Sequence, residues 1–247
     1  MNAYGLIGQK LGHSFSPGYF AAKFEREGIQ ATYGLFEMPS IAGLKPLLEA
    51  RPDIRGLNVT IPYKQEVLPL LDTLTDEARA VGAVNTILRT SAGLTGYNTD
   101  IYGFDTALRE ARAGEPPLHR AVVLGTGGAA RAVVYVLTAW MGAQVIQVSR
   151  EAGAGHITYE RLHDLDPASY QLIVNTTPLG MYPHTDAAPD VPYHLLGPAH
   201  LAFDLIYNPE TTRFMQLAAQ AGARTCNGYR MLVLQAEKAW KIWSQPH

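Results

Sequence analysis

Residues 121–130 read Ala121-Val122-Val123-Leu124-Gly125-Thr126-Gly127-Gly128-Ala129-Ala130. Four consecutive apolar residues without alternation mark a strand buried on both faces, as in parallel sheets. The glycines match G-x-G-x-x-A, a weak pattern alone. Between a buried strand and a helix, inside a strand–helix–strand unit, it becomes informative. Gly125 permits the tight turn, Gly127 lets a pyrophosphate approach the backbone, and Ala130 keeps helix and strand close. The helix, expected over residues 129–141, then offers free N–H groups to phosphates. The competing reading is a glycine-rich turn with no ligand. A P-loop is excluded at this turn, because no Gly-Lys-Ser/Thr follows.

The next strand, residues 144–148, ends in Val148-Ser149-Arg150-Glu151. An acidic residue there suits the ribose 2′-hydroxyl of NAD, and a basic one the 2′-phosphate of NADP. Arg150 offers a guanidinium and Ser149 a hydroxyl, so NADP is favoured. Glu151 either repels a phosphate or points to solvent, and the bland reading of Arg150 is an exposed loop residue.

Residues 172–175 and 201–205 are further buried-strand candidates, and residues 178–198 read as loop with little helix. Helices are expected over 211–221 and 231–243. Toward the N-terminus the elements are short. Strands are expected at 4–7, 31–36, 57–60, 83–88 and 94–97. A helix opened by Pro17 stops near Gly28, and a second spans 44–50. Ile101, Phe104, Leu108 and Ala111 share one helical face after a Thr99 or Asp100 cap. The pattern changes near Asp100, so two α/β lobes are expected, with the last helix free to pack on either.

The chain has 247 residues, 47% hydrophobic and 17% charged, which excludes disordered and fibrous classes. Net charge is −2, from 20 Lys+Arg against 22 Asp+Glu. That balance argues against nucleic acid as the main partner. The one cysteine, Cys226, allows no internal disulfide and fits a reducing compartment. The N-terminal residues do not read as a signal peptide. The apolar stretch 132–148 is interrupted by Gly142, Gln144 and Gln147 and falls short of a membrane span. A cytoplasmic protein is expected, with no membrane partner. His13 has no carboxylate or second histidine at a helpful spacing and reads as structural; His119, His156, His163, His184 and His194 show no ligand pattern, and no metal is expected.

Four N-terminal segments combine polar groups with turn residues: His13-Ser14-Phe15-Ser16-Pro17, Asn58-Val59-Thr60-Ile61-Pro62-Tyr63-Lys64, Gly82-Ala83-Val84-Asn85-Thr86 and Gly96-Tyr97-Asn98-Thr99-Asp100. Each sits at a strand end or helix start, where α/β clefts collect ligand groups. Together they suit a polyhydroxylated acid. Taken singly, Ser16 and Asp100 read as helix caps, Asn85 as a turn residue and Lys64 as a surface charge.

These segments, with Gly-x-Gly-Gly-Ala at 125–129, Asn-x-Thr-Pro-x-Gly-Met at 175–181, Asp-x-x-Tyr-Asn-Pro at 204–209 and Gly-x-x-Met-Leu-Val-x-Gln at 228–235, resemble the shikimate dehydrogenase family nearly end to end. The resemblance implies an N-terminal α/β substrate lobe and a Rossmann-type doubly wound dinucleotide lobe. The C-terminal helix returns to the substrate lobe. The implied domains are 1–100 with 227–247 for substrate, and 101–226 for NADP. The implied reaction is NADPH-dependent reduction of 3-dehydroshikimate to shikimate, in aromatic amino-acid biosynthesis. By resemblance, Ser14 and Ser16 hold the substrate carboxylate, with Tyr207 nearby. Asn58, Thr60, Asn85, Asp100 and Gln235 bind ring hydroxyls, and Lys64 and Asp100 form the catalytic pair. The implied cofactor contacts are Gly125, Gly127, Gly128, Ala129, Ser149, Arg150, Thr176, Ile206 and Gly228. A monomer or homodimer is expected.

The chain departs from the family pattern in places. Tyr19-Phe20 stands where His-Asn is common, a change expected to affect helix packing more than ligand contacts. Ala154 stands where NADP-type members carry a second arginine. The chain is short for the family, which the compact stretch after Arg150 partly explains. Three other readings stand beside the first. One is a paralogue using quinate or both acids, with NAD use, against which serine at both 14 and 16 argues. One is a folate-processing dehydrogenase, which lacks these motifs. The last is a non-enzymatic dinucleotide sensor, against which the Lys64 and Asp100 pair argues.

Overall fold

The computed structural model describes residues 1–12, 14–166 and 169–245, so the reading of His13 lies outside the described residues. The chain divides into two compact units, Met1–Thr99 with Ala236–His247, and Asp100–Gln235.

The first unit is built on six strands: β1 (Asn2–Gly8), β2 (Ala31–Glu37), β3 (Ile54–Val59), β4 (Thr73–Leu74), β5 (Thr86–Thr90) and β6 (Gly93–Tyr97). They lie in the order β2-β1-β3-β5-β6-β4. The β1, β2 and β3 strands run parallel, and β5 turns antiparallel to both β3 and β6. Its helices are α1 (Ser16–Glu27), α2 (Leu44–Ala50), α3 (Tyr63–Glu66) and α4 (Asp76–Val81). Pro17 occupies the first turn of α1, where its missing N–H costs nothing. Gly28 ends that helix in the left-handed region at φ 64°.

The second unit starts with α5 (Asp100–Ala111) and continues through β7 (Arg120–Leu124), α6 (Gly128–Tyr135), β8 (Gln144–Ser149), β9 (His156–Thr158) and α7 (Tyr159–His163). It ends with β10 (Leu172–Asn175), β11 (Leu201–Asp204), α8 (Arg213–Gln220), β12 (Arg224–Cys226) and α9 (Tyr229–Trp243), the last shared with the first unit. Its sheet is parallel throughout, in the order β12-β11-β10-β7-β8-β9. Counted from β7, this is the doubly wound 3-2-1-4-5-6 order, whose direction reverses between β7 and β10. Val122, Val148, Ile173 and Ala202 bury one face of it against Phe214, Met215 and Ala218.

The helix after the glycine turn differs from the single run expected over 129–141. It is α-helical to Tyr135 and then widens over Val136–Trp140, where Met141 N–H reaches back five residues to Val136 at 3.1 Å. The Thr138 hydroxyl donates to the Val134 carbonyl at 2.8 Å and competes for the helical ladder there.

The last helix returns to the N-terminal unit. Ala236, Ala239, Ile242 and Trp243 pack with Tyr4, Phe20, Phe24 and Leu88. Trp243 stacks on Tyr4 at 5.0 Å between ring centres and donates its indole N–H to Ile87 O at 3.0 Å. A Cβ on Gly56 would overlap that indole, so only glycine lets β3 pass this close. Tyr19 and Lys23 of α1 both hydrogen-bond Glu237. Trp243→Ala is therefore expected to cost about 3–5 kcal/mol in urea unfolding; a loss below about 1 kcal/mol would contradict this packing.

Candidate active site

The switch point of the second sheet carries the glycine turn. Gly125 leaves β7 at φ +112°, a conformation that favours glycine. Its N–H donates to Val148 O at 2.8 Å, and its own carbonyl accepts from Gln147 Nε2 at 2.8 Å. A Cβ there would lie 2.6 Å from Thr176 Oγ1. That hydroxyl donates to Leu124 O at 2.5 Å, tying the turn after β10 to the end of β7. Gly127 holds the cap position of α6 and has no side chain to accept from the first N–H groups of the helix. A Cβ on Gly127 would meet nothing within 4 Å, which leaves open space over the helix start. Gly128 and Ala129 are the first two helical residues. The donors, open space and macrodipole together fit a pyrophosphate.

Ser149 ends β8 half-buried, and Arg150 and Glu151 follow, both exposed. The Arg150 charge partly offsets the burial that raises the Tyr159 hydroxyl's pKa. His156 of β9 pairs beside Gln147 of β8. Ala154 is exposed on the intervening turn.

At the ends of β10 and β11 lies a buried polar cluster. Asp204 accepts from Asn175 Nδ2 at 3.0 Å, from Ile206 N–H at 3.0 Å and from Thr212 Oγ1 at 2.6 Å. Ile206 O accepts from Gly228 N–H at 3.0 Å, and a Cβ on Gly228 would overlap the Leu205 carbonyl. Thr176, Ile206 and Gly228 are thus tied around these two strand ends, with Tyr207 half-buried beside them. Burial pushes the Asp204 carboxyl up to about 6, against the opposing pull of its three donors. The folded state thus holds this proton between about pH 4 and 6, where the unfolded chain has lost it. The stability this gives is full below the unfolded pKa and is lost as pH rises through about 6. Ionised Asp204 then costs on the order of 2–3 kcal/mol at neutral pH. Asp204→Asn is expected to stabilise the protein more at pH 7.5 than at pH 5 in urea unfolding; an equal effect at both would contradict the assignment.

The first unit holds a second cluster. Ser16 is buried inside the first turn of α1, and Phe15 occupies the cap position, so Ser16 is not a helix cap. Ser16 lies close to the Tyr33 hydroxyl, which burial holds well above the usual phenol range. Tyr33 donates to Asn58 Oδ1 at 2.8 Å. Asn58 Nδ2 donates to Asn85 O at 3.2 Å and Thr86 Oγ1 at 3.1 Å. Asn85 Oδ1 accepts from Thr99 N–H at 2.7 Å, and its Nδ2 donates to Thr99 Oγ1 at 3.0 Å. Lys64, half-buried on α3, is held by its carbonyl, which accepts from Val84 N–H at 2.7 Å. Thr60 closes the same turn, its carbonyl accepting from Tyr63 N–H at 2.9 Å, and Ser14 sits half-buried before α1. The unit therefore joins Tyr33, Asn58 and Asn85 through hydrogen bonds, with Ser16 close to Tyr33, and links Lys64 to them through main chain.

Tyr33 was not singled out by sequence reasoning. It lies in a strand without a motif, and its one visible sign is a tyrosine among β-formers. Phe20, in the Tyr19-Phe20 departure, stacks on it at 4.4 Å between ring centres.

Asp100 and Gln235 belong to the second unit. Asp100 is buried and is itself the first residue of α5 rather than a cap outside it. One turn on, a Cβ at Gly103 would lie 2.6 Å from Met231 O and 3.1 Å from Gln235 Cβ. That glycine brings the backbones of α5 and α9 together and sets Gln235 beside the first turns of α5. Among the described residues, no group of three or more His, Cys, Asp or Glu is placed to hold a metal. No helix of the described residues is long and apolar enough to cross a membrane.

A parallel sheet in this strand order, with an uncapped glycine turn at its switch point, defines a dinucleotide-binding α/β protein. Residues 6–87 match the family model for the shikimate dehydrogenase substrate binding domain. The NADP(+) shikimate dehydrogenase of Clostridium beijerinckii is 40% identical over 253 residues, covering 99% of this chain and 93% of the relative. The structure of shikimate 5-dehydrogenase from Thermus thermophilus, in complex with NADP(H) and shikimate, matches with a TM-score of 0.87 and 33% identity, covering 99% and 94% of the two chains. Quinate dehydrogenase from Corynebacterium glutamicum, in complex with NAD, matches with a TM-score of 0.87 and 31% identity, covering 98% and 93%. The chain belongs to the shikimate dehydrogenase family.

Proposed function

We propose that this chain reduces 3-dehydroshikimate to shikimate with NADPH, on the route to aromatic amino acids, using Lys64 and Asp100. The observation that carries the reading is 40% identity to an NADP(+) shikimate dehydrogenase across 99% of the chain. In this reading Ser14, Ser16 and Tyr207 receive the substrate carboxylate. Asn58, Thr60, Asn85, Asp100 and Gln235 receive its hydroxyls, matching a polyol with a set of amides, hydroxyls and one carboxylate. Gly125, Gly127, Gly128 and Ala129 cradle the pyrophosphate. Ser149 and Arg150 take the 2′-phosphate, and Thr176, Ile206 and Gly228 border the rest of the cofactor.

Bound NADPH supplies the hydride for the ring ketone. The Lys64 ammonium stabilises negative charge developing on the ketone oxygen and delivers a proton to it. Asp100 orients that ammonium and provides a countercharge. The functional division, 1–100 with 227–247 for substrate and 101–226 for cofactor, assigns all of α9 to the substrate part. Compactness divides the same helix after Gln235. The protein is proposed to act in the cytoplasm on small molecules, as a monomer or homodimer.

Incubation with 3-dehydroshikimate and NADPH, followed by chromatography, should yield shikimate; no new product would refute the reading. With Ala154 in place of a second basic residue, Arg150 carries the discrimination for NADP. A charged hydrogen bond is worth about 1.5–3 kcal/mol. Arg150→Ala should thus lower kcat/KM for NADP+ roughly 10–100-fold and leave the value for NAD+ unchanged. An equal drop with both cofactors would contradict a 2′-phosphate contact.

A further inference from the structure

Asp204 is a buried ionisable group that the proposed chemistry does not use. It has no exposure to solvent, and its partners are a side-chain amide, a backbone N–H and a hydroxyl. None is a cation. A buried carboxylate held only by neutral donors is costly to keep.

Its three donors come from three segments. Asn175 ends β10, Ile206 lies in the turn after β11, and Thr212 is the residue before α8, where it also accepts from Met215 N–H at 3.3 Å. Asn175 is equally buried. Its Oδ1 accepts from Thr177 N–H at 3.0 Å and from the Thr177 hydroxyl at 2.7 Å. The Asn175–Asp204 pair thus fixes two turns at once, the one starting at Thr176 and the one running from Leu205 toward Thr212. Both turns leave neighbouring strand ends of the sheet, on the side where the strand order reverses. Thr176 in one turn closes on Leu124, and Ile206 in the other holds Gly228.

We infer that Asp204, acting with Asn175 and Thr212, is a positioning residue for the dinucleotide: its hydrogen bonds set the backbone of the Thr176 and Ile206 turns in the shape that receives the cofactor. The inference rests on the reading of this chain as an NADP enzyme. It makes a specific demand on chemistry. Asparagine at 204 keeps all three bonds, since its Oδ1 accepts from Asn175 and Ile206 while its Nδ2 donates to the Thr212 hydroxyl. Alanine keeps none. If hydrogen bonds do the positioning, asparagine substitutes for aspartate.

The test is calorimetric titration of NADP+ into the full chain without substrate, well below each variant's melting temperature. Asp204→Ala should weaken binding at least about tenfold, and Asp204→Asn should stay within about threefold of the unaltered protein. Should the alanine variant fail to fold, Thr212→Val and Thr212→Ser decide: valine weakens binding severalfold and serine restores it. A purely structural role would lower the melting temperature of these variants and leave the dissociation constant of the folded protein in place. A folded Asp204→Ala variant that binds within twofold of the parent overturns the inference, as does a valine variant with unchanged affinity. Asparagine binding as poorly as alanine overturns it too, by assigning the effect to charge. If the unaltered chain binds no NADP+, the functional reading falls and takes this inference with it. Parent and alanine variant binding equally well sinks the inference alone.

Discussion

Lys64→Ala is expected to lower kcat by about 10²–10⁴-fold while the dissociation constant for NADP+ stays unchanged. The side chain sits on α3, whose main chain is pinned where the Lys64 carbonyl meets Val84 N–H at 2.7 Å. Truncation beyond Cβ leaves that bond in place, so the turn and its neighbours Thr60 and Asn85 keep their geometry. The glycine turn belongs to the other compact unit and does not depend on this side chain. Lys64→Arg should not rescue turnover, because a guanidinium holds its proton too tightly to donate it and presents a different shape. Single-turnover kinetics and cofactor titration separate the two effects. Unchanged turnover in the alanine variant would remove Lys64 from the mechanism.

The second large effect lies in the glycine turn, where two neighbouring glycines should behave differently. Gly125→Ala places a Cβ in a backbone at φ +112° and 2.6 Å from Thr176 Oγ1. To relieve this, either the turn opens or Thr176 releases Leu124, and both disturb the phosphate cradle. Strain of about 1–3 kcal/mol should lower stability and weaken NADP+ binding roughly 10–100-fold. Gly127→Ala has no strained φ, and its Cβ would meet no protein atom within 4 Å. The melting temperature should hold, but the methyl group occupies the space the pyrophosphate needs, so NADP+ binding should still fall by a similar factor. If Gly127→Ala binds NADP+ like the parent, the open space over α6 is not the pyrophosphate site.

The parts of the fold that were legible in the sequence are those with local signals. Pro17 and Gly28 bracket α1 because each acts on its own backbone. The run Ala121-Val122-Val123-Leu124 announces a doubly buried strand, and the glycines after it give the turn. The short elements α3, α4, β4, β9, α7 and β12 carry two to six residues each, too few for a hydrophobic period to show. The widened turn at Val136–Trp140 leaves the apolar spacing of the helix unbroken, so no pattern reveals it.

The site divides in the same way. The motifs around Ser16, Asn58 and Asn85 were visible as clusters of polar and turn residues. That Tyr33 bonds Asn58, and Asn58 in turn Asn85, was not, because these links join residues far apart in the chain. Ser16 reads singly as a cap, and only its burial inside the first turn of α1, with Phe15 at the cap position, shows otherwise. Asn175 and Asp204 stood in quoted motifs without a role. Their bond spans 29 residues and forms only when β10 and β11 pair.

Substrate and cofactor choice are decided together by a steady-state assay of the purified chain with shikimate or quinate, each against NADP+ and NAD+, following absorbance of the reduced cofactor. Shikimate with NADP+ should give the highest kcat/KM. A higher value for quinate, or for either acid with NAD+, would contradict that expectation, as would the absence of turnover with every pair.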